Sequence, residues 1–351
     1  MNNSEQPIID DYDINPLITD EEKTIYEVVC LVFISFCIGL CGIISNIINL
    51  IVFTKQGLDS TTNIGLFSLA LADLLSSVTI EWYCISFNPL LIHSDINFYP
   101  PEVQHLTAGT PHSAFACITN WITAYIAAER CLSIASPLKV KQILTPRRTG
   151  FIIVLIYIGI TMPVVPEYAT AYLAPKFFPE FNKTLVGLAF IEGRYNLGGI
   201  SLISYSILTF ISFIAVILFT AILVIRLKQK TSWRRLSTFD NAQSENMSRR
   251  DRAAIKMVIV IASLFIVNFS PTVAFFGAVF IVPEFNITGK YRNLFLVSAA
   301  FAFITDALNA SINIVSYYTM STKYRQTFQQ VFHRCFKRKS LVDKQQQRFD
   351  S

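Results

Sequence analysis

Charge is scarce in this chain, and the scarcity sets its class. Only 15% of its 351 residues are Asp, Glu, Lys or Arg, while 52% are hydrophobic. Soluble proteins carry about 25% charged residues. The pair of soluble domains that the length alone would suggest is therefore excluded. Histidine is scarcer still. His93, His105, His112 and His333 form no H-E-x-x-H or comparable ligand pattern. Without a catalytic constellation the chain is not read as an enzyme. No repeat relates its halves, as secondary transporters commonly show. No removable signal peptide is visible either, because residues 1–26 are acidic and polar. They read as a solvated outer tail that steers cationic ligands weakly. Span one is left to direct insertion.

What is present is apolar length. Stretches near Glu27–Phe53, Ile64–Asn88, Val103–Ala135, Phe151–Tyr168, Leu197–Ile225, Ala254–Val282 and Leu294–Tyr318 each reach the length needed to cross a bilayer, about 20 residues. The expected fold class is an all-α membrane protein, a seven-transmembrane helix bundle with a short amphipathic C-terminal helix. Its divisions are an outer tail (1–26), the bundle (27–318), a membrane-surface helix (319–336) and a cytoplasmic tail (337–351). Lys and Arg crowd the loops after spans one, three and five and the tail, whereas the other side holds only Lys23, Lys176, Lys183, Arg194, Lys290 and Arg292. The basic side faces the cytoplasm, so the N-terminus lies outside a plasma membrane. Sequons at Asn2, Asn182 and Asn286 fall outside and read as glycosylation sites; those at Asn246, Asn268 and Asn309 do not.

The few charges inside the spans carry the functional reading. A charge at the centre of an inserted helix costs roughly 2.5–3.5 kcal/mol. Glu129 and Arg130 sit near one end of span three, just before Pro137 and Leu138, and read as a switch facing the cytoplasm. His112 and Thr119 precede Arg130 by 18 and 11 residues, which puts all three on one helical face. Asp73 lies mid-span in span two, and Asp306, Asn309, Asn313 and Tyr317 form a stripe on span seven. A buried Asp73 needs partners, so Asn46, Asp73, Thr119, Asn309 and Asn313 are expected in one hydrated cluster able to hold water or a sodium-like cation. After span seven, Tyr324, Phe328 and Phe332 recur every four residues opposite Lys, Arg and Gln. That pattern predicts a helix lying on the inner membrane face, with Cys335 beside it a palmitoylation candidate.

These marks together resemble the rhodopsin-like (class A) G-protein-coupled receptors, over residues 27–336. They are S-N at Asn46, L-A-L-A-D at Asp73, E-R-C-L-S-I-A-S-P-L after span three, F-x-x-x-F-S-P at Phe265–Pro271 and N-I-V-S-Y at Asn313–Tyr317. E-R-C…P-L-K-V-K…T-P-R-R-T is similar to invertebrate, molluscan-type, chemosensory and peptide receptors.

The resemblance implies that Glu129 and Asp251 restrain Arg130 until span six swings outward. It implies that Leu138 enters the G protein, that Tyr317 moves, and that Asp73 holds an allosteric Na+. No other cofactor is expected. Glu81, His112, Phe269, Thr272, Phe276 and Asp306 are the pocket candidates by depth and face. Two carboxylates and a histidine suit a ligand with a basic group, a peptide or small chemosensory molecule, whereas Arg194 would suit an acidic one. The expected partners are that ligand, a heterotrimeric G protein and membrane lipid, with no nucleic acid.

The chain also departs from the pattern. Ile314 stands where the family has proline, Phe269 where it has tryptophan and Cys131 where it has tyrosine, and span five lacks its proline. The family's outer disulfide is missing at both ends. His105 stands at the span-three position, and the loop between spans four and five has no cysteine. A more mobile pocket roof is expected. An ion-coupled transporter and a receptor-like protein without G-protein coupling remain the alternative readings.

Overall fold

A computed structural model describes residues 17–135, 140, 142–191, 199–236, 242–286 and 289–332; for 135, 227–228, 230–236 and 242–254 it describes the helix path alone. Span one runs as one helical rod over Asp20–Glu27, Val28–Ser35 and Phe36–Gln56, the middle stretch being π-helical. It starts earlier than hydropathy indicates. Thr19 and Glu22 close a capping box, and Asp20, Glu21 and Glu22 fill the first turn, where a helix N-terminus favours negative charge. The last residues of the acidic tail are thus helix. Gly57, at φ 84°, stops the rod in a conformation that suits glycine.

Span two is Thr61–Ser86, capped by Ser60. Span three runs from Pro100–Gln104 through a π-helical stretch, His105–Gly109, into Thr110–Ala135. Span four is Pro146–Thr161, continued by a 3-10 turn at Met162–Val164 and a last turn at Val165–Thr170. Pro163 and Pro166 lie in that break, where proline removes a backbone donor. Spans five, six and seven are Ile200–Leu236, Ala242–Ile281 (with Pro271 inside) and Arg292–Met320. The long inner loop expected at 226–252 is mostly helix. Spans five and six continue past the apolar stretch, because the polar residues there remain good helix formers.

Among the described residues six helices, those of spans one, two, four, five, six and seven, are long and apolar enough to cross a membrane. Span three, expected to be long and apolar enough to span like the other six, is less apolar than they are. It packs against spans two, four, five and six, so other helices replace lipid around it. That position lets it bury His112, Thr119, Asn120, Thr123 and Glu129. Its apolar residues Ile118, Ile122, Ile126 and Ala127 form the centre of the core with Leu66, Leu69, Leu223 and Tyr317. Spans one, two and seven meet through small residues, with Gly42 facing Ser77 and Ser311. Close approach of this kind is how membrane helices gain packing without a hydrophobic drive.

The pocket roof is an antiparallel hairpin, β1 (Ala171–Phe178) and β2 (Lys183–Phe190), paired from Ala171↔Phe190 to Phe178↔Lys183. No disulfide holds it among the described residues. Hydrogen bonds and ion pairs anchor it instead. Val186 N–H donates to Asn97 O and Tyr99 N–H donates to Val186 O, each at 2.9 Å. Glu102 accepts from Leu188 N–H at 2.7 Å and from Lys176 Nζ at 2.9 Å. Lys183 Nζ reaches Asp95 at 2.6 Å, and this hydrogen bond and charge hold the Asp95 carboxyl below the usual range. His105 Nε2, at the vacated cysteine position, lies 2.8 Å from Glu167 Oε1.

Polar contacts thus do the work of a covalent bridge. Glu102→Ala is expected to speed amide exchange across β2 roughly tenfold, in line with the loss of charge-assisted hydrogen bonds. Dithiothreitol should leave exchange in the wild-type hairpin unchanged. Hydrogen exchange with mass spectrometry reads both.

Candidate functional site

The described polar side chains of the bundle interior fall into three layers, stacked from the inner face outward. The inner layer is built on the last turns of span three. Glu129 is buried, and its Oε2 lies 3.2 Å from the Arg130 guanidinium. Thr61 Oγ1 donates to Glu129 Oε1 at 2.6 Å, and Arg130 donates to Thr62 Oγ1. The pair is therefore pinned to the first turn of span two, which sequence spacing did not reveal. Cys131 Sγ donates to Phe219 O on span five at 3.2 Å.

Other parts of this layer stand as follows. Tyr317 is buried, with its ring centroid 5.2 Å from Phe53 and 5.6 Å from Tyr324. Leu138 lies outside the described residues, as does the Asp251 side chain; of Asp251, only its place on the span-six helix is described. Of the membrane-surface helix expected at 319–336, residues 322–332 are helical and 319–320 end span seven, with one further correction. Tyr324 does not face lipid. It is buried, and its hydroxyl donates to Asn49 Oδ1 at 2.6 Å.

The middle layer centres on Asp73, which is fully buried. Thr119 Oγ1 donates to Asp73 Oδ1 at 2.9 Å and Asn313 Nδ2 donates to Asp73 Oδ2 at 2.8 Å. A cavity of about 10 Å³ beside them is also lined by Ser76, Asn120, Asp306 and Asn309. That is room for a single water or ion. Four of the five residues expected in this cluster come together. Asn46 does not join directly. Its Nδ2 donates to Gly42 O at 3.0 Å and to Ala310 O at 2.8 Å, so it ties span one to span seven beside the cluster. Asn49 Nδ2 donates to Asn46 Oδ1 at 3.2 Å. This extends the chain to Tyr324. Asn120 was missed by sequence reading, and neither polar atom of its buried amide has a hydrogen-bond partner among the described residues.

The outer layer is a cavity of about 110 Å³ between spans three, five, six and seven. His112, Phe269, Thr272, Phe276 and Asp306 all line it. Thr272 Oγ1 donates to Asp306 Oδ1 at 3.0 Å, and His112 Nε2 lies 3.7 Å from Asp306 Oδ2. Phe269 stacks on Phe265 at 5.1 Å, and the His112 ring lies 5.2 Å from Phe303. Cys117, Tyr205, Thr209 and Phe275 also line it; their apolar or small side chains carry no signal in sequence. Glu81 is corrected out of this site. Its carboxylate lies against span one, so close to Gly39 that a Cβ there would sit 2.3 Å from Oε1. The helical face that Glu81 occupies turns away from the cavity.

A seven-helix bundle with an outer cavity, a buried aspartate below it and a Glu-Arg pair at the inner end is the architecture of a membrane receptor. The model of the 7 transmembrane receptor (rhodopsin family) matches residues 45–312, and the chain belongs to that family. It is a multi-pass membrane protein of a receptor family.

Several proteins similar to it are invertebrate peptide receptors. The Allatostatin-A receptor of Bombyx mori is 24% identical over 89% of this chain and 81% of its own length. The QRFP-like peptide receptor of Branchiostoma floridae is 28% identical over 70% and 63%. The Tachykinin-like peptides receptor 86C of Drosophila melanogaster is 23% identical over 94% and 62%.

Proposed function

We propose that this protein is a plasma-membrane receptor, N-terminus outside, that binds an extracellular peptide and promotes nucleotide exchange on a heterotrimeric G protein. The observation that carries the reading is the pair of buried Glu129 and half-buried Arg130, bonded to Thr61 and Thr62 at the end of the same helix that lines the outer cavity. The receptor makes no covalent bond. A ligand that favours the bundle with Arg130 released shifts an existing equilibrium toward it. Span six, with Pro271 inside its helix, then moves outward, Tyr317 leaves Phe53, and Arg130 and Leu138 meet the G protein. Peptide receptors among the similar proteins favour a peptide over a small chemosensory molecule.

Asp73, Ser76 and Asn120 supply hard oxygens around the small middle cavity and fit an allosteric Na+ there. Bound, the ion would neutralise Asp73. The surface helix at 322–332 lies on inner-leaflet lipid, with Cys335, outside the described residues, as its palmitoylation site. Asn182 caps the exposed tip of the hairpin at φ 49° and suits glycosylation. Asn286 first has to release the bond from its amide to Pro283 O, 2.6 Å. Asn2 lies outside the described residues.

The test is nucleotide exchange on purified G-protein heterotrimers by the full-length receptor in vesicles, with a peptide library as stimulus. Wild type should accelerate exchange with at least one peptide. Asp251→Ala, which removes the proposed inner restraint, should raise unstimulated exchange several-fold. Failure to accelerate exchange across the library and the heterotrimer classes, with basal exchange flat in the variant, would sink the reading.

A further inference from the structure

The outer cavity holds one acid with no lysine or arginine beside it. Asp306 is the only Asp or Glu lining it, and no Lys or Arg lines it among the described residues. Thr272 occupies Asp306 Oδ1. Oδ2 faces His112 Nε2 across 3.7 Å, too far for a hydrogen bond. His112 Nε2 is itself buried without a hydrogen-bond partner. On its other side, His112 Nδ1 lies 3.3 Å from Ser76 Oγ and 3.5 Å from Thr79 Oγ1.

Each hydroxyl can act as donor or acceptor. When Ser76 accepts from Nδ1–H, the Nε2 lone pair points toward Asp306, and two acceptors face each other. A group that donates several N–H bonds and carries positive charge satisfies both at once. The other acids stand apart. Asp73 is occupied by Thr119 and Asn313, and Glu81 faces Gly39.

We infer that this cavity takes a single cationic nitrogen group, an ammonium or guanidinium carried by the ligand, held by Asp306 Oδ2 with His112 Nε2 as the second acceptor. The inference rests on the receptor reading above and narrows it. About 110 Å³ admits one side-chain end or terminus, not a whole peptide. The rest of a peptide must lie higher, against the hairpin. The aromatic lining of Phe269, Phe276 and Phe303 keeps the site poor in water, which strengthens the ion pair, and offers ring faces to a cation. Asp306 also lines the middle cavity beside Asp73. A cation on its outer oxygen therefore acts on a wall shared with the polar cluster below.

The probe is small enough to need no knowledge of the ligand. Full-length receptor in nanodiscs is melted with methylguanidinium or methylammonium chloride, and with acetamide or sodium acetate, at matched ionic strength. Both cations should raise the midpoint by about 2–4 °C at roughly ten times their dissociation constant. Acetamide and acetate should not. Asp306→Asn, which keeps a partner for Thr272, should lose the shift; Asp306→Glu should keep part of it. His112→Phe should weaken the cation's apparent affinity about tenfold.

An equal shift with acetamide, a cation shift that survives Asp306→Asn, or no shift in wild type would overturn the assignment. Arg130-dependent nucleotide exchange is measured separately. Exchange without the cation shift removes this inference alone, and the cation shift without exchange removes the receptor reading alone.

Discussion

Arg130→Ala is expected to reduce ligand-stimulated nucleotide exchange to the unstimulated level, with near-normal amounts of receptor at the cell surface. Arg130 is an inward-facing cation whose described partners are Glu129 and Thr62. Removing it leaves Glu129 with its bond from Thr61, so the buried carboxylate keeps a donor and the fold survives. The loss falls on the contact that Arg130 makes once released. Arg130→Lys keeps the charge but not the planar fork and should recover only a small part. Thr62→Ala separates the two roles. It weakens the restraint while sparing the guanidinium, so unstimulated exchange should rise several-fold and the stimulated maximum should stay. Surface labelling alongside exchange assays reads all three. Full stimulation in Arg130→Ala would show that the pair is only structural.

The largest effect on stability is expected at Gly42. A Cβ there would lie 2.7 Å from both Ser311 Oγ and Ser77 Oγ. Neither hydroxyl is free to swing aside. Ser77 Oγ donates to Asp73 O at 2.8 Å, and Ser311 Oγ to Ala307 O at 2.7 Å. Gly42→Leu must push span one away from spans two and seven, and Asn46 then loses Ala310 O. Overpacking of this kind costs about 1–3 kcal/mol, or roughly 3–10 °C in the melting midpoint. Gly159, with nothing within 4 Å of a built Cβ, is the control: Gly159→Leu should melt with wild type. Equal midpoints for the two variants would show that the small-residue seam is not tight.

Sequence reading found the column and missed its fastenings. A charge in an apolar run is conspicuous, so Asp73, Glu129, Arg130 and Asp306 were legible, and helical period placed His112 and Thr119 beside them. The partners of those charges were not. Thr61 and Thr62 are ordinary residues at a helix start, and nothing local tells which hydroxyl will meet span three. Glu81 misled for the converse reason. Its depth in span two does not fix which neighbour its face meets, and that neighbour is Gly39 of span one. Tyr324 fitted an amphipathic pattern perfectly, yet it points to Asn49, because periodicity reports which residues share a face and not what that face meets. Span three shows the same limit at the scale of a helix. Its weak apolarity reflects being surrounded by protein, which hydropathy cannot distinguish from being a poor span.

The hairpin over the cavity has a consequence for how this receptor is made. Its anchors are backbone bonds to Asn97 and Tyr99 and the carboxylates of Glu102 and Asp95, which need neither an oxidant nor an isomerase. The outer face can therefore reach its final form as soon as spans two through five have been inserted, with no thiol to oxidise and no wrong bridge to undo. Cell-free synthesis under reductant should yield a correctly closed roof. For the same reason the roof's tightness should vary with the salt of the fluid that bathes it.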